Sequence, residues 1–572
     1  LFIGNLVCSG PWNTTKRLHN ILTGSCSLHF HLTPRLPTDM FIIRYLFQAI
    51  THSIWGSDET LEEKHSMLKD AVNESFLASL VNPIENIKFI DTLCRLGVSY
   101  HFEINILEQV GKSFDSLDFN QMIRHDGCDL YTVGLVFQVF RQFGFKLPAD
   151  VFEKFRDGDG KFKGHLAADE YGILSLYEAA QWGTQGEGII DEALAFSSQY
   201  LKEFSSRSNN HLTIRIKNAL KHPYHKGISR IETRQYISYY EEEESHDATI
   251  LEFAKIDFNL LQTLHRKELA CVTRWYNKTE IETKVTYSRH RIAEAYLWSL
   301  GAYFEPQYSQ ARVITAVALI LFTALDDMYD AYGTMEELEL FTDGMEKWLP
   351  VAPNGIPESM KHIYRVTVGF YDKLEEELEK EGRSGCGFHL KKSLKTTANG
   401  YMQEAKWLKN NYIATFDEYK ENAILSSGYY PLIAMTFAGM GDVAKLDAFE
   451  WLSSNPKIRV ASEIISRFTD DISSYEFEHK REHVATGIDC YMKQFGVSKE
   501  QAVEAIDNIV SDAWKDLNQE LMRPHSCPFP LLMRFLNLSR VIDVFYRYQD
   551  AYTHPEFLKE HIVSLFIENI PI

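Results

Sequence analysis

Three carboxylates crowd one and a half turns at the end of an otherwise apolar run. Asp326, Asp327 and Asp330 in "TALDDMYDAYG" follow the stretch Val313 to Leu325. On a helix, Asp326 and Asp330 share a face one turn apart and Asp327 flanks them. Such charges repel, and burying them without a positive partner costs on the order of several kcal/mol each. A hard divalent cation is one partner: magnesium takes oxygen ligands, keeps several waters, and is often held by one or two carboxylates together with substrate phosphates. A solvated acidic helix end is the plain alternative.

A second set of oxygen donors favours the metal. In "RFTDDISSYEFEHKRE", Asp470, Ser474 and Glu478 stand at i, i+4 and i+8 and form one stripe, while Asp471 and Glu476 point elsewhere. A merely solvated face has no need of the serine. Arg467 and Lys480 in the same stretch suit an anion lying across the metals. Arg289 and Arg291, two residues apart, do not share a helix face. They fit a loop or helix start from which both guanidiniums reach one phosphate, with ordinary surface salt bridging as the alternative. Trp298 lies in the apolar stretch "AYLWSLGAYF", where a tryptophan is more often core than site. "DGDGKF" imitates the start of a calcium loop, but Phe162 takes the place of the turn glycine and Ala168 that of the bidentate glutamate, which excludes it.

These residues need a scaffold, and its pattern is helical. After Trp55, apolar residues recur at spacings of three and four, with little alternation of period two. In "DLYTVGLVFQVFRQFGF", Leu130, Val133, Val136, Phe137 and Phe140 fall on one face and Gly144 closes the helix. The expected fold is all-α. At 572 residues the chain is long for one core, and the four glutamates Glu241 to Glu244 mark a break before a fresh periodic helix. The division is therefore a helical domain over 53–244 and a second over 245–572, with 1–52 unassigned. That opening segment has no acidic residue up to Thr38 and is rich in Ser, Thr and His, the composition of an organelle transit segment or of an imperfect gene product.

Bulk properties narrow the partners. The net charge of −20 repels nucleic-acid backbones and anionic lipid surfaces. Eight cysteines without a Cys-x-x-Cys pair read as reduced intracellular thiols. The longest apolar run, 13 residues, falls short of the roughly 20 that span a bilayer. No nucleic acid, no membrane span and a monomer are expected.

Taken in order, "SIWG", "LGVSYHFE", "FAKIDFNLLQTLHRKEL", the arginine pair, "AYFEPQYSQAR", "DDMYDAYGT", the Asp/Ser/Glu stripe, "ATGIDCYMKQFGVS" and "DAYTHPE" resemble the plant class I terpene synthases from Ser53 onward. The resemblance implies two α-helical domains: an N-terminal α-barrel-like one and a C-terminal class I bundle around a deep apolar pocket. It implies that Asp326, Asp327 and Asp330 face Asp470, Ser474 and Glu478 across the pocket mouth. Together these would bind three magnesium ions, or manganese in their place, with the diphosphate of a prenyl substrate. Arg289 and Arg291 would cap the departing diphosphate, with Arg467 and Lys480 also contacting it. Trp298 and Tyr552 would line the pocket, and Asp550 would sit with Tyr552 on a closing loop. The tandem arginine frequent in the family is missing, Tyr45 and Leu46 standing in its place. Motif character favours a cytoplasmic sesquiterpene synthase acting on farnesyl diphosphate, while the acid-poor start favours a plastid enzyme acting on geranyl diphosphate. A chain-elongating prenyltransferase, which usually carries a second aspartate-rich motif at the Asp/Ser/Glu stripe, and a non-catalytic helical scaffold are the remaining alternatives.

Overall fold

The computed structural model describes residues 59–116, 128–207, 210–479 and 484–572. Among them the chain is helical throughout, and its only β contact is an isolated bridge between Arg156 and Phe162. That bridge closes the false calcium loop. There Asp157 Oδ1 accepts from the backbone N–H groups of Asp159 and Lys161, so its carboxylate serves the turn itself.

Seven helices frame the site: α1 (Glu59–Ser79), α2 (Ala248–Thr279), α3 (Ile292–Ala302), α4 (Ser309–Asp327), α5 (Cys386–Lys409), α6 (Lys457–Glu478) and α7 (Phe529–Tyr546). The glutamate run lies where one helix ends at Glu242 and α2 begins at Ala248, with Asp247 accepting from the N–H groups of Thr249 and Ile250 as the N-cap. Asp129 caps the helix Leu130–Gln142 in the same way, and Gly144 follows it at φ +80°, as the sequence pattern predicts.

A contiguous apolar core reaches from Val72 to Ile570. α3 is buried on every face, which explains why its sequence lacks an amphipathic stripe. It packs between α4 and α7. α4 is pinned near its start by Arg312, fully buried, whose Nε and Nη2 donate to the two carboxylate oxygens of Glu268 on α2 at 2.8 Å each. Tyr296 of α3 donates to the same carboxylate at 2.7 Å, so one buried pair locks three helices. The C-terminal residues are stitched to α2 as well: Arg266 donates to the carbonyls of Phe566 and Ile567, and Asn259 to that of Ile570.

The helix Tyr429–Ala438 crosses α4 at its other side with almost no clearance. A Cβ on Gly439 would lie 2.3 Å from the Cα of Ala311. Gly439→Ala must push the two backbones apart, and a loss of about 1–3 kcal/mol is expected in chemical denaturation. A parent-like midpoint would show that the crossing yields easily.

No helix among the described residues is long and apolar enough to cross a membrane.

Candidate active site

α4 delivers Asp326 and Asp327 from its last turn, and the chain then widens into a π turn over Met328–Tyr332, closed by the Gly333 N–H on the Met328 carbonyl at 2.9 Å. Asp330 rides on that turn. The apolar run predicted as a core helix is buried from Ile314 to Leu325, Val313 excepted, so the three acids emerge where the buried stretch reaches water.

The first positive partner of this cluster is a side chain. Arg289 Nη2 pairs with Asp326 Oδ2 at 2.8 Å, and its Nε pairs with Asp327 Oδ1 at 2.7 Å. Its backbone N–H donates to Asp327 Oδ2 at 2.7 Å, so both oxygens of Asp327 are engaged by one residue. Arg289 and Arg291 lie immediately ahead of α3, Arg291 as its N-cap residue, in the loop position that their spacing predicts. Both reach the segment Tyr552–Thr553. Arg289 Nη1 reaches Thr553 Oγ1 at 2.9 Å, while Arg291 donates to the backbone carbonyls of Tyr552 and Thr553 at 2.8 and 2.9 Å. The segment after α7 is thus strapped to the arginine loop. Asp550 shapes that segment from within, its Oδ1 accepting from the N–H groups of Tyr552 and Thr553 at 3.0 and 2.8 Å.

Opposite, α6 carries Asp470, Ser474 and Glu478, Glu478 being its last residue. The Ser474 hydroxyl donates back to the Asp470 carbonyl at 2.9 Å, which leaves its lone pairs as acceptors. Asp471 points away, as expected, and accepts from the Tyr419 hydroxyl and the Gly487 N–H. Arg467 is built into this support: its Nε donates to Tyr419 Oη at 2.9 Å, and it pairs with Asp471 at 3.2 Å and Glu404 at 3.5 Å. Lys480 lies outside the described residues.

Glu404 on α5 escaped the sequence reading. It is buried, accepts from Ser426 Oγ at 2.7 Å, and stands close enough to Asp326 and Asp330 to repel both. Nothing around "YMQEAKW" marks it, since its acidic neighbours come from other helices.

The electrostatics join the two halves of the mouth. Loss of surrounding water, then repulsion from Asp330, raises the Asp326 carboxyl above the usual range against the pull of Arg289 and Arg467. Desolvation followed by Glu404 does the same to Asp330, which also feels Glu478 across the gap. Asp470 is held up by desolvation and then by Asp550 and Glu478. Asp330 nonetheless opens to solvent and Asp326 is a third exposed, so water reaches the mouth. Among the described residues, the crowd of Asp326, Asp327, Asp330, Glu404, Asp470 and Glu478 outnumbers the Arg289 and Arg467 cations that act on it. Hard, oxygen-only donors with surplus negative charge at a water-accessible mouth fit magnesium or manganese.

Behind the acids the wall turns aromatic. Trp298 of α3 is 6% exposed and stands edge-on to Tyr552, ring centres 5.5 Å apart and planes at 90°. Phe545 lies 4.9 Å and Tyr546 6.0 Å from it. Tyr552 is held by a hydrogen bond between its hydroxyl and Thr323 Oγ1 at 2.6 Å, one turn before Asp327 on α4. Trp298 and Tyr552, far apart in sequence, therefore meet beneath the acidic mouth.

The chain resembles known proteins over most of its length. The family profile "Terpene synthase, N-terminal domain" matches residues 38–220, and "Terpene synthase family, metal binding domain" matches residues 277–516. The first match reaches back to residue 38, into the segment that the quoted motifs leave unassigned. The alpha-humulene/(-)-(E)-beta-caryophyllene synthase of Arabidopsis thaliana is 82% identical over 516 residues, 90% of this chain and 94% of that protein. Valerianol synthase TPS8 of Camellia sinensis is 41% identical over 534 residues, 91% of this chain and 96% of its own length. Among solved structures, isoprene synthase from grey poplar leaves (Populus x canescens), in complex with three Mg2+ ions and dimethylallyl-S-thiolodiphosphate, superposes with a TM-score of 0.84 at 30% identity, covering 90% of this chain and 98% of that one.

Proposed function

The chain belongs to the terpene synthase family, and from that premise we propose that it ionises farnesyl diphosphate in a magnesium-dependent step, cyclises the carbocation to a sesquiterpene and releases diphosphate. The observation that carries the reading is the pairing of an acid-lined mouth with an aromatic interior, in a chain 82% identical to a humulene/caryophyllene synthase. Asp326, Asp327 and Asp330 on one side and Asp470, Ser474 and Glu478 on the other would hold the magnesium, expected as three ions. When bound, magnesium supplies Lewis-acid stabilisation of the charge that builds on the departing diphosphate.

The chain's own residues do the rest. Arg289, already aimed at the mouth through Asp326 and Asp327, exchanges those partners for phosphate oxygens when substrate arrives. Arg291 keeps the Tyr552–Thr553 backbone in place beside it. Arg467, fixed by Tyr419, Asp471 and Glu404, presents charge from the opposite wall. Below the mouth, Trp298, Tyr552 and Phe545 exclude water from the cation and offer it their ring faces.

The test is gas chromatography of the products formed from farnesyl and geranyl diphosphate with magnesium. Cyclic sesquiterpenes, and a higher kcat/KM for the farnesyl substrate, are expected. Turnover of geranyl diphosphate alone would overturn the substrate assignment in favour of a monoterpene synthase. Chelation should abolish turnover and added magnesium or manganese restore it, and full activity in excess EDTA would sink the metal requirement.

Trp298→Leu separates the two layers of the site. It leaves the acids untouched and removes one ring face, worth about 2 kcal/mol, or ~30-fold, in the steps it touches. Diphosphate release should persist while products shift toward acyclic and less cyclised terpenes. Loss of diphosphate release in a folded Trp298→Leu variant would place the tryptophan in the ionising machinery instead.

A further inference from the structure

Two sequence motifs that the reaction does not use meet far from its acids. His101 of "LGVSYHFE" and Asp257 of "FAKIDFNLL" come together with His65 of α1. The three side chains arrive on three separate elements: α1, the short 3-10 turn Ser99–Phe102 and α2. Their ligand atoms all lie within 4.8 Å of one another. His65 Nε2 is 3.0 Å and His101 Nε2 2.8 Å from Asp257 Oδ1, and the Tyr100 hydroxyl donates to that same oxygen at 2.8 Å.

As a pure hydrogen-bond staple the arrangement is uneconomical. Three donors compete for one carboxylate oxygen, while the other, Asp257 Oδ2, is buried with no hydrogen-bond partner. Asp257 is 2% exposed, and a buried acceptor left unmade costs about 1–3 kcal/mol. Arg230 attracts Asp257 by its charge but gives Oδ2 no hydrogen bond, since it lies over the Phe258 ring and donates to the Phe258 carbonyl. Both histidines retain some exposure, which leaves a path from solvent.

We propose that His65, His101 and Asp257 form a second metal site, for a borderline divalent ion such as zinc, which ties α1 to α2. Two imidazoles with one carboxylate suit zinc or cobalt better than magnesium, which prefers oxygen alone. On binding, each imidazole turns an Nε2 lone pair to the metal and carries its proton on Nδ1, and the carboxylate contributes an oxygen. Tetrahedral ligands around zinc stand roughly 3.4 Å apart, so the two nitrogen–oxygen edges of 2.8 and 3.0 Å need to open by only ~0.5 Å. The Tyr100 hydroxyl or a water completes the shell.

The experiment adds cobalt(II) to the full chain in excess magnesium, so that the oxygen-donor mouth is saturated. One equivalent of cobalt with the visible bands of a nitrogen-ligated low-coordinate ion, displaced by zinc, is the expected result. His65→Gln and His101→Gln should each weaken that binding by about tenfold or more, whereas Asp326→Asn should leave the bands intact. Absence of stoichiometric bands in the folded parent protein would overturn the proposal without recourse to any variant. Bands that survive in both glutamine variants, or that vanish in Asp326→Asn, would overturn it equally.

Discussion

Asp326→Ala should lower diphosphate release from farnesyl diphosphate by at least about 10²-fold, the scale on which removal of one charge-stabilising group is felt in a preorganised site. The substitution deletes an oxygen that the magnesium cluster needs and the acid that aims the Nη2 of Arg289. It should not cost stability. Asp326 is crowded by Asp330 and Asp327, and deleting it relieves that repulsion in metal-free protein. The melting temperature without magnesium should therefore hold or rise, while activity collapses. The two readouts are measured by diphosphate release and by a thermal scan in EDTA. Near-parental turnover would remove Asp326 from the ionising machinery, and a large fall in melting temperature would show that its pair with Arg289 holds the fold.

Glu268→Ala should do the reverse. It strips the bidentate partner from Arg312, which is fully buried and left with the carbonyls of Tyr303 and Glu305. A buried charge orphaned in this way costs about 3–5 kcal/mol, a fall of roughly 3–7 °C in melting temperature for a unit of this size. The Tyr296 hydroxyl loses its acceptor in the same step. Because α4 carries the acids at its far end, activity should fall in step with folding, and variant protein that remains folded at low temperature should still make the parental product pattern. Glu268→Gln keeps the hydrogen-bonding shape and should lose less. A melting temperature unchanged within error in Glu268→Ala would show that the three-helix lock carries little of the stability.

The helices and the acid stripes were legible because both obey a single period. Asp470, Ser474 and Glu478 follow from counting along one helix, and the stop at Gly144 follows from the chemistry of caps. What counting cannot reach is the partner supplied by a distant element. Counting gives the acids, but not that Arg289, from the loop ahead of α3, pairs with both Asp326 and Asp327. Glu404 stayed hidden for the same reason, since its charged neighbours Asp326, Asp330 and Arg467 come from other elements. Asp470 and Asp471 are neighbours in sequence, yet one faces the mouth and the other is absorbed by Tyr419 and Gly487. The helical wheel separates them, but only packing identifies what each one meets.

The π turn at Met328–Tyr332 bears on how this site tolerates insertion and deletion. A π turn holds one residue more than the α turn it replaces, so it acts as a gasket in an otherwise tightly wound rod. Shortening the turn by one residue would let the helix rewind to ordinary pitch, at little cost in backbone hydrogen bonding. The same rewinding would swing Asp330, and the entry into the helix Met335–Lys347, by roughly 100° about the axis. A change that the backbone absorbs easily would thus take the third acid out of the mouth. Length in these five residues is therefore under tighter geometric constraint than the identity of most of the side chains they carry.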